Sequence, residues 1–332
     1  MRAAYLKMTL ATALLGSYLV ASKIILREVP VFTATFVRLV SASVVLAVYV
    51  GAKYRGVRWE RPSRRDGTVI LAQSLLGVFL FSVFAMYGVK YTGAIESGVV
   101  LGMVPISMSF VALVFLKESM TSRRVMGIAV AVVGAVGINV LASRSSGGEA
   151  GSNVALGSLL LVCAVLCEAV FMTFGKLLTR PIPPAKLSLL LSVTGALLFL
   201  VPAGFEFHGV LHSHISWQTW ALMVYTGVAI NGLAVVLMYD SMDSVDVTVA
   251  SAFTAMTPVS GAILSVLFIG EALHTYHVVG MLLVVTGVFI VAREARSGAS
   301  SAPKPADLPP VRVHHAGGSA DSSSTVRVRL RP

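Results

Sequence analysis

The chain has 332 residues, of which 56% are hydrophobic and only 12% are charged. A soluble domain carries about 25% charged residues, so this composition excludes a soluble enzyme and indicates a protein that crosses a lipid bilayer several times. Lys and Arg outnumber Asp and Glu by 26 to 15, which gives a net charge of +11; on a soluble protein this excess would indicate a nucleic-acid partner.

Ten apolar segments, each about long enough to span a bilayer, follow one another along the chain. The segments are continuous apolar runs without the alternation typical of membrane-spanning strands, so each is predicted to be a helix. The tail after Arg296 is rich in Ser, Ala, Pro and Gly and is predicted to be disordered. The predicted helices are Leu6–Ile25, Phe32–Val50, Thr68–Val89, Ala94–Leu116, Val125–Ala142, Leu156–Phe174, Leu187–Phe205, Trp217–Tyr239, Val247–Ile269 and Val278–Ala292.

The second half of the chain repeats the first. A shift of 153 residues without a gap aligns Pro105 with Pro258 and Glu118 with Glu271. Because Pro and Glu are rare in apolar sequence, this agreement predicts two copies of a five-helix unit. Five is odd, so the second copy enters the membrane from the opposite side and the halves form an inverted repeat. The predicted domains are a first repeat over 1–142, a linker over 143–155, a second repeat over 156–296 and a disordered cytoplasmic tail over 297–332.

The basic residues are concentrated on one side of the predicted bundle. If the N-terminus is cytoplasmic, 21 of the 26 Lys and Arg lie in cytoplasmic segments, four lie outside, and Arg38 lies within a helix. This bias predicts that both termini are cytoplasmic and that the protein lies in the cytoplasmic membrane. The positive charge is then a signal for orientation, and we expect no nucleic-acid partner.

Glu168 is the ionisable residue nearest the middle of a predicted helix. It lies twelve residues into the sixth helix, about 18 Å along its axis, so it falls near the centre of the bilayer. A charge there costs about 2.5–3.5 kcal/mol and is usually retained for a transport pathway or a partner. Its counterpart in the first repeat is Leu15, and this asymmetry favours a functional role. A protonated carboxyl group that bonds a neighbouring helix is the alternative.

Arg38 and Glu96 lie near the start of the second and fourth helices, at the same side of the membrane. An ion pair between them would offset part of the cost of each charge. Contact with a substrate or a coupling proton is the other prediction for both, and Arg38 can also extend to the lipid headgroups. Weaker candidates for substrate contact, with helix packing as the alternative, are Tyr18, Gln73, Asn231 and Ser251.

The residues that the two repeats share are assigned to architecture. Glu118 and Glu271 lie in equivalent short turns, and each is predicted to cap the N-terminus of the following helix. Pro105 and Pro258 are predicted to kink the fourth and ninth helices, either to free carbonyl groups for a substrate or to permit rocking. Glycines at seven-residue spacing predict close packing within one chain or between two, which leaves a homodimer open: Gly127, Gly134, Gly280 and Gly287.

Motifs for enzyme chemistry are absent from the sequence. It contains no phosphate-binding Gly-rich loop, no zinc-protease motif and no nucleophile elbow. Cys163 and Cys167 are the only cysteines, and His208, His212 and His214 are too loosely spaced to indicate a metal. We therefore expect no enzyme, no cofactor and no metal, and passage of a solute rather than its conversion.

Two related stretches carry the repeat: GAIESGVVLGMVPISMSFVALVFLKESMTSRRVMGIAVAVVGAVGI and its copy VTVASAFTAMTPVSGAILSVLFIGEALHTYHVVGMLLVVTGVFIV. Together with Pro30 and Arg38 at the opening of the second helix, they resemble the EamA-type permeases of the drug/metabolite transporter superfamily. The resemblance covers about residues 6–292. It implies ten helices, alternating access around a central cavity and secondary transport, often export of amino acids, metabolites or toxic compounds.

The sequence and the resemblance together predict a secondary transporter that moves a small organic solute across the cytoplasmic membrane, with Glu168 as a carboxylate that either couples transport to protons or recognises a cation. A sugar-phosphate or nucleotide-sugar exchanger of the same superfamily is an alternative. It needs several cations in the cavity, and the chain offers Arg38 with Lys23 and Lys176 near helix ends. From another class, a membrane sensor or scaffold that transports nothing also stays open.

Overall fold

The computed structural model describes residues 2–55, 62–104, 106–107, 111, 121–146, 149–175, 177–179, 182–212, 214–242 and 256–300. All regular secondary structure in these residues is helical, which confirms the all-helical fold class. The described helices are α1 (Arg2–Ile25), α2 (Val31–Lys53), α3 (Arg64–Tyr91), α4 (Ala94–Leu101), α5 (Ser122–Ser146), α6 (Glu149–Gly175), α7 (Pro184–Leu211), α8 (the successive pieces Trp217–Tyr225, Thr226–Ala234 and Val235–Met242), α9 (Met256–Ile269) and α10 (Thr275–Ser300).

The helices have the length and the surface that a bilayer requires. Six of those described are long and apolar enough to cross a membrane, and shorter apolar helices lie within α5, α9 and α10. Large apolar side chains also cover the outside of the bundle: Val48, Leu267 and Phe268 are 70–71% exposed. Such a surface is stable in contact with lipid, because apolar side chains of this number and size would cost free energy if they were exposed to water. The chain is a multi-pass membrane protein.

The repeat extends to the way in which helices begin. The hydroxyl of Ser63 accepts a hydrogen bond from the backbone N–H of Asp66 at the start of α3. The hydroxyl of Ser216, 153 residues later, does the same for the N–H of Thr219 at the start of α8. A serine at this position satisfies one of the N–H groups that a helix leaves free at its N-terminus. Thus α3 and α8 start in the same way in the two repeats.

Helices α3 and α8 also share an irregularity near their middle. Each contains a π-helical segment, over Ser74–Leu80 in α3 and Thr226–Ala234 in α8. The shift of 153 residues places Ser74 on Gly227, so the two segments are equivalent. Such wide turns are rare in helices and are common at functional sites, because they change the direction of side chains and loosen the hydrogen-bond ladder.

The glycine stripe of the sequence is used within the chain, where α5 crosses α10. A Cβ atom added at Gly134 would lie 2.8 Å from the carbonyl oxygen of Gly280, and one at Gly127 would lie 2.9 Å from that of Gly287. The two backbones therefore approach as closely as only glycine allows. Buried side chains around the crossing complete this part of the core: Val99, Ile106, Ala131, Ala135, Ile138, Val284 and Val291.

Helices α5, α6 and α10 extend beyond the apolar runs that predict them. Helix α5 continues to Ser146 and α6 begins at Glu149, so most of the predicted linker is helical. Hydropathy detects the part of a helix inside the bilayer, whereas polar turns continue the same helix beyond it. Helix α7 also contains Pro202, which the sequence analysis does not single out. Four predictions concern residues or side chains outside the described part: Pro105, Glu118, Ser251 and the side chain of Pro258.

Candidate functional site

Arg38 lies inside the bundle, where its side chain is only 6% exposed. Its Nη2 donates a hydrogen bond of 2.8 Å to Ser82 Oγ on α3, and its guanidinium lies 5.0 Å from the ring centre of Tyr18 on α1. Burial this deep excludes extension to the lipid headgroups. The predicted ion pair with Glu96 is wrong, because Arg38 is directed from α2 towards α1 and α3, whereas Glu96 is paired with His277.

Glu168 lies half-buried on α6, which packs along α3. A Cβ atom at Gly77 would meet Phe171, and one at Gly88, further along α3, would meet Leu161. Glu168 lies between these two contacts along α6, so it faces the stretch of α3 between Gly77 and Gly88, and this stretch also contains Ser82. No described residue forms a hydrogen bond or an ion pair with its carboxyl group.

Two of the weaker candidates lie at the π-helical segments. Gln73 directly precedes the segment of α3, is 1% exposed and donates from Nε2 to the carbonyl oxygen of Phe171 at 3.1 Å, while its Oε1 has no partner. Asn231 is half-buried within the segment of α8. Both are amides in the middle of the bundle, and the hydroxyl of Tyr18 is likewise buried without a partner. The structure thus brings several of the predicted polar residues to the middle of the helices.

Glu271 caps a helix, although a different one from the helix predicted. Its carboxylate accepts hydrogen bonds from the backbone N–H groups of Ala94 at 2.7 Å and Ile95 at 3.1 Å. These belong to the start of α4, in the first repeat, so the prediction of a cap on the following helix is wrong. Gly270, with φ of 74°, turns the chain after α9 so that the next residue reaches across to the neighbouring repeat. We name this side of the bundle the Glu271 end.

A pair of hydrogen-bonded side chains, Glu96 and His277, lies at the Glu271 end. His277 Nε2 lies 3.2 Å from Glu96 Oε1, and His277 is 3% exposed. Lys23 donates to the carbonyl oxygens of Val89 and Thr92, which are left free where α3 ends. The pair and the cap both join residues of the second repeat to the first.

A cavity of about 550 Å³ lies beside these groups. Its lining includes the carboxyl groups of Glu96 and Glu271 as well as Asn153 and His274. Sequence reasoning missed His277 and the position of Lys23. A comparison of the two copies could have drawn attention to His277 and Glu96, because their counterparts in the other repeat are Arg124 and Val249.

Further hydrogen bonds connect the repeats at both ends of the bundle. At the Glu271 end, Glu28 accepts from the backbone N–H and the hydroxyl of Ser216, both at 2.9 Å. These bonds, the backbone one first, hold the pKa of Glu28 below its ordinary value of 4.5. At the opposite end, Asp66 accepts from the N–H and the hydroxyl of Thr179, both at 2.8 Å. Each link joins the first repeat to the second.

The described part of the chain holds no group of three His, Cys, Asp or Glu that could bind a metal ion. Its two cysteines, Cys163 and Cys167, are free thiols.

Comparison with known proteins gives the family. A model described as the EamA-like transporter family matches residues 2–140 and, a second time, residues 155–293. The chain belongs to the EamA-like transporter family. It is accordingly a permease of the drug/metabolite transporter superfamily, with two copies of one unit, and its family indicates a transporter rather than an enzyme.

Relatives of this EamA-like protein carry transporter names. It is 32% identical to the uncharacterized transporter YetK of Bacillus subtilis over 86% of each chain. It is 26% identical to a probable terminal-alkyne amino-acid exporter of Streptantibioticus cattleyicolor, over 77% of this chain and 82% of that one. A crystal structure of a protein with 19% identity matches 88% of this chain and 98% of its own length, with a TM-score of 0.59, and it supports the fold.

Proposed function

We propose that this EamA-like protein exports a small amino-acid-type solute by alternating access and couples the export to protons through Glu168. The observation that carries the proposal is the position of Glu168, a half-buried carboxyl group in α6 without a partner among the described residues. A carboxyl group in the middle of the membrane can take up a proton from one side and release it to the other. The relative named as an amino-acid exporter supports the class of solute.

The orientation that we propose decides which end of the bundle faces the side with the excess of protons. Cytoplasmic segments carry 21 of the 26 basic residues when both termini are cytoplasmic. The Glu271 end of the bundle then faces outwards, and the end that carries Asp66 faces the cytoplasm. Protons outside a respiring cell are in excess, so a proton that enters at the Glu271 end can drive a solute outwards in exchange.

The links between the repeats supply the two gates. Access from outside requires separation of Glu28 from Ser216, and access from the cytoplasm requires separation of Asp66 from Thr179. In this structure both links are formed. The π-helical segments of α3 and α8 lie between the ends and provide equivalent places at which these helices can bend.

An exchanger of sugar phosphates is less well supported. A phosphate group requires several cations, and the buried cations of the described part are Arg38, within α2, and Lys186, in the first turn of α7 over the ring of Tyr54. Lys23 is held by the two carbonyl groups at the end of α3, so it does not add a free charge to the core.

The test is the variant Glu168→Gln in proteoliposomes that are loaded with a mixture of the proteinogenic amino acids. An inward proton gradient should drive export by the wild-type protein. The variant should lose this stimulation and keep exchange of solute for solute, because its amide cannot carry a proton. Glu206→Gln is the matched control, since Glu206 binds Thr33 at the start of α2 through one oxygen and lies at a helix end. Wild-type pH dependence in Glu168→Gln would remove Glu168 from the mechanism.

A further inference from the structure

Four buried hydrogen-bond donors in the described bundle have no acceptor, and three of them lie on α1 and α2. These three are Arg38 Nε, Tyr18 Oη and Ser22 Oγ, and the fourth is Ser265 Oγ on α9. Arg38 and Ser22 are 6% and 1% exposed. Buried polar groups are almost always paired, because an unpaired donor loses its bonds to water and gains nothing in return. Three such donors on neighbouring helices therefore indicate an acceptor that is bound at another stage of the protein's work.

The three donors face one region. Tyr18 and Ser22 lie four residues apart on α1 and therefore share a face of that helix. The guanidinium of Arg38 lies over the ring of Tyr18, and the bond to Ser82 fixes its position from the side of α3. Arg38 and Tyr18 are thus held together between α1, α2 and α3 before any ligand arrives, and Ser22 lies one turn further along α1. They are buried in this structure, so a solute reaches them when the bundle opens.

The charge of Arg38 decides the chemistry of the missing acceptor. No carboxylate among the described residues pairs with this guanidinium. A buried charge without a counter-ion is unstable, and a ligand that brings a negative charge removes the instability. A single cation with two hydroxyl donors matches a carboxylate, which has one charge and two oxygens that accept hydrogen bonds. A phosphate, with more charge, would require further cations.

We propose that Arg38, Tyr18 and Ser22 form the site that binds the carboxylate of the transported solute. The proposal rests on the proposed transport function and adds the chemical group that is recognised and the residues that recognise it. In the second repeat the counterpart of Arg38 is Leu191 and that of Tyr18 is Phe171, so the site occurs once in the protein.

Tyr18→Phe is the sharpest test, because it removes only the unpaired hydroxyl. The probes are a mixture of the proteinogenic amino acids and a matching mixture of their amides, which lack the negative charge. We expect the acids, and not the amides, to raise the unfolding temperature of the purified wild-type protein. Tyr18→Phe should bind the acids about ten- to a hundredfold more weakly, yet unfold at a temperature at least as high as wild type without ligand. A hydroxyl with a structural role would lower that temperature instead.

A matched control is Tyr225→Phe. The hydroxyl of Tyr225 is hydrogen-bonded to Ser17 at 2.8 Å, so its removal should lower stability and leave the preference for acids unchanged. Arg38→Lys keeps the positive charge but loses Nε, and it should also weaken binding of the acids. The proposal is overturned if amides stabilise the protein as well as acids do, if neither stabilises it, or if Tyr18→Phe binds acids like wild type.

The result for Glu168→Gln separates this proposal from proton coupling. That variant should still prefer acids to amides, because its change lies on α6. If Glu168→Gln keeps its pH dependence while Tyr18→Phe loses the preference for acids, proton coupling fails and the carboxylate site stands. If Glu168→Gln behaves as proposed while the preference is unaffected by Tyr18→Phe and Arg38→Lys, the carboxylate site fails alone.

Discussion

A methyl group at Gly134 should weaken the crossing of α5 and α10. The added Cβ atom would lie 2.8 Å from the carbonyl oxygen of Gly280, whereas ordinary contacts begin at 3.4 Å. The helices must therefore separate by about 0.6 Å along a well-packed interface, and overpacking of this kind costs about 1–3 kcal/mol. Alanine also favours the helix over glycine by about 1 kcal/mol, so Gly134→Ala alone underestimates the clash.

Gly137→Ala is the control that isolates the clash. Gly137 lies on the same helix, and its added Cβ would have no other atom within 4 Å. Gly137→Ala gains the higher helix propensity of alanine but makes no close contact with α10. The difference in the free energy of unfolding between the two variants should therefore be about 1–3 kcal/mol. This difference can be measured by titrating SDS into both variants, each purified in the same mild detergent, and following their unfolding. Equal stability of the two variants would refute the close crossing.

Three further predictions concern the Glu271 end and are measured by thermal unfolding. Glu271→Ala should lower the stability by about 1–2 kcal/mol, because it removes both acceptors at the start of α4, and Glu271→Gln should restore part of the loss. The pKa of Glu28 is lowered in the folded protein, so its bond to Ser216 contributes fully to stability above about pH 4.5. This contribution is lost as the pH falls through the pKa of Glu28 in the folded protein, and Glu28→Gln should lack this acid-dependent loss of stability. His277→Gln keeps a donor for Glu96 and should behave like wild type, whereas His277→Leu should cost about 1–3 kcal/mol; equal effects would contradict the pair.

The order of the helices could be predicted, because apolar runs of bilayer length and the repeat at a shift of 153 residues can both be read directly from the sequence. The π-helical segments of α3 and α8 were not. The spacing of apolar residues differs too little between an α-helix and a helix with one wide turn for periodicity to reveal it. The repeat alone does not reveal a π-helical segment. Once such a segment is known in α3, however, the shift of 153 residues predicts the equivalent segment in α8.

The candidate site could be predicted residue by residue but not as a set of contacts. The rarity of charge in the apolar runs singled out Arg38, Glu96 and Glu168. Their partners depend on which helices are neighbours in space, and this is fixed by packing between the repeats. For the same reason, Glu271 was expected to act on its own chain neighbour and instead binds α4. Contacts across an inverted repeat join residues that lie far apart in sequence.

The features that the two repeats share are structural, whereas the ionisable residues of the core occur in one repeat only. The glycines that form the crossing, the serine caps and the π-helical segments occur in both repeats, and such matched parts allow two equivalent states of access. Arg38 and Glu168 occur once each, with Leu191 and Leu15 as their counterparts. One lies in the first repeat and the other in the second, and both lie beside the stretch of α3 between Gly77 and Gly88. On the proposals made here, a zwitterionic solute held between them is bound by both repeats at once, so its release requires the repeats to move apart.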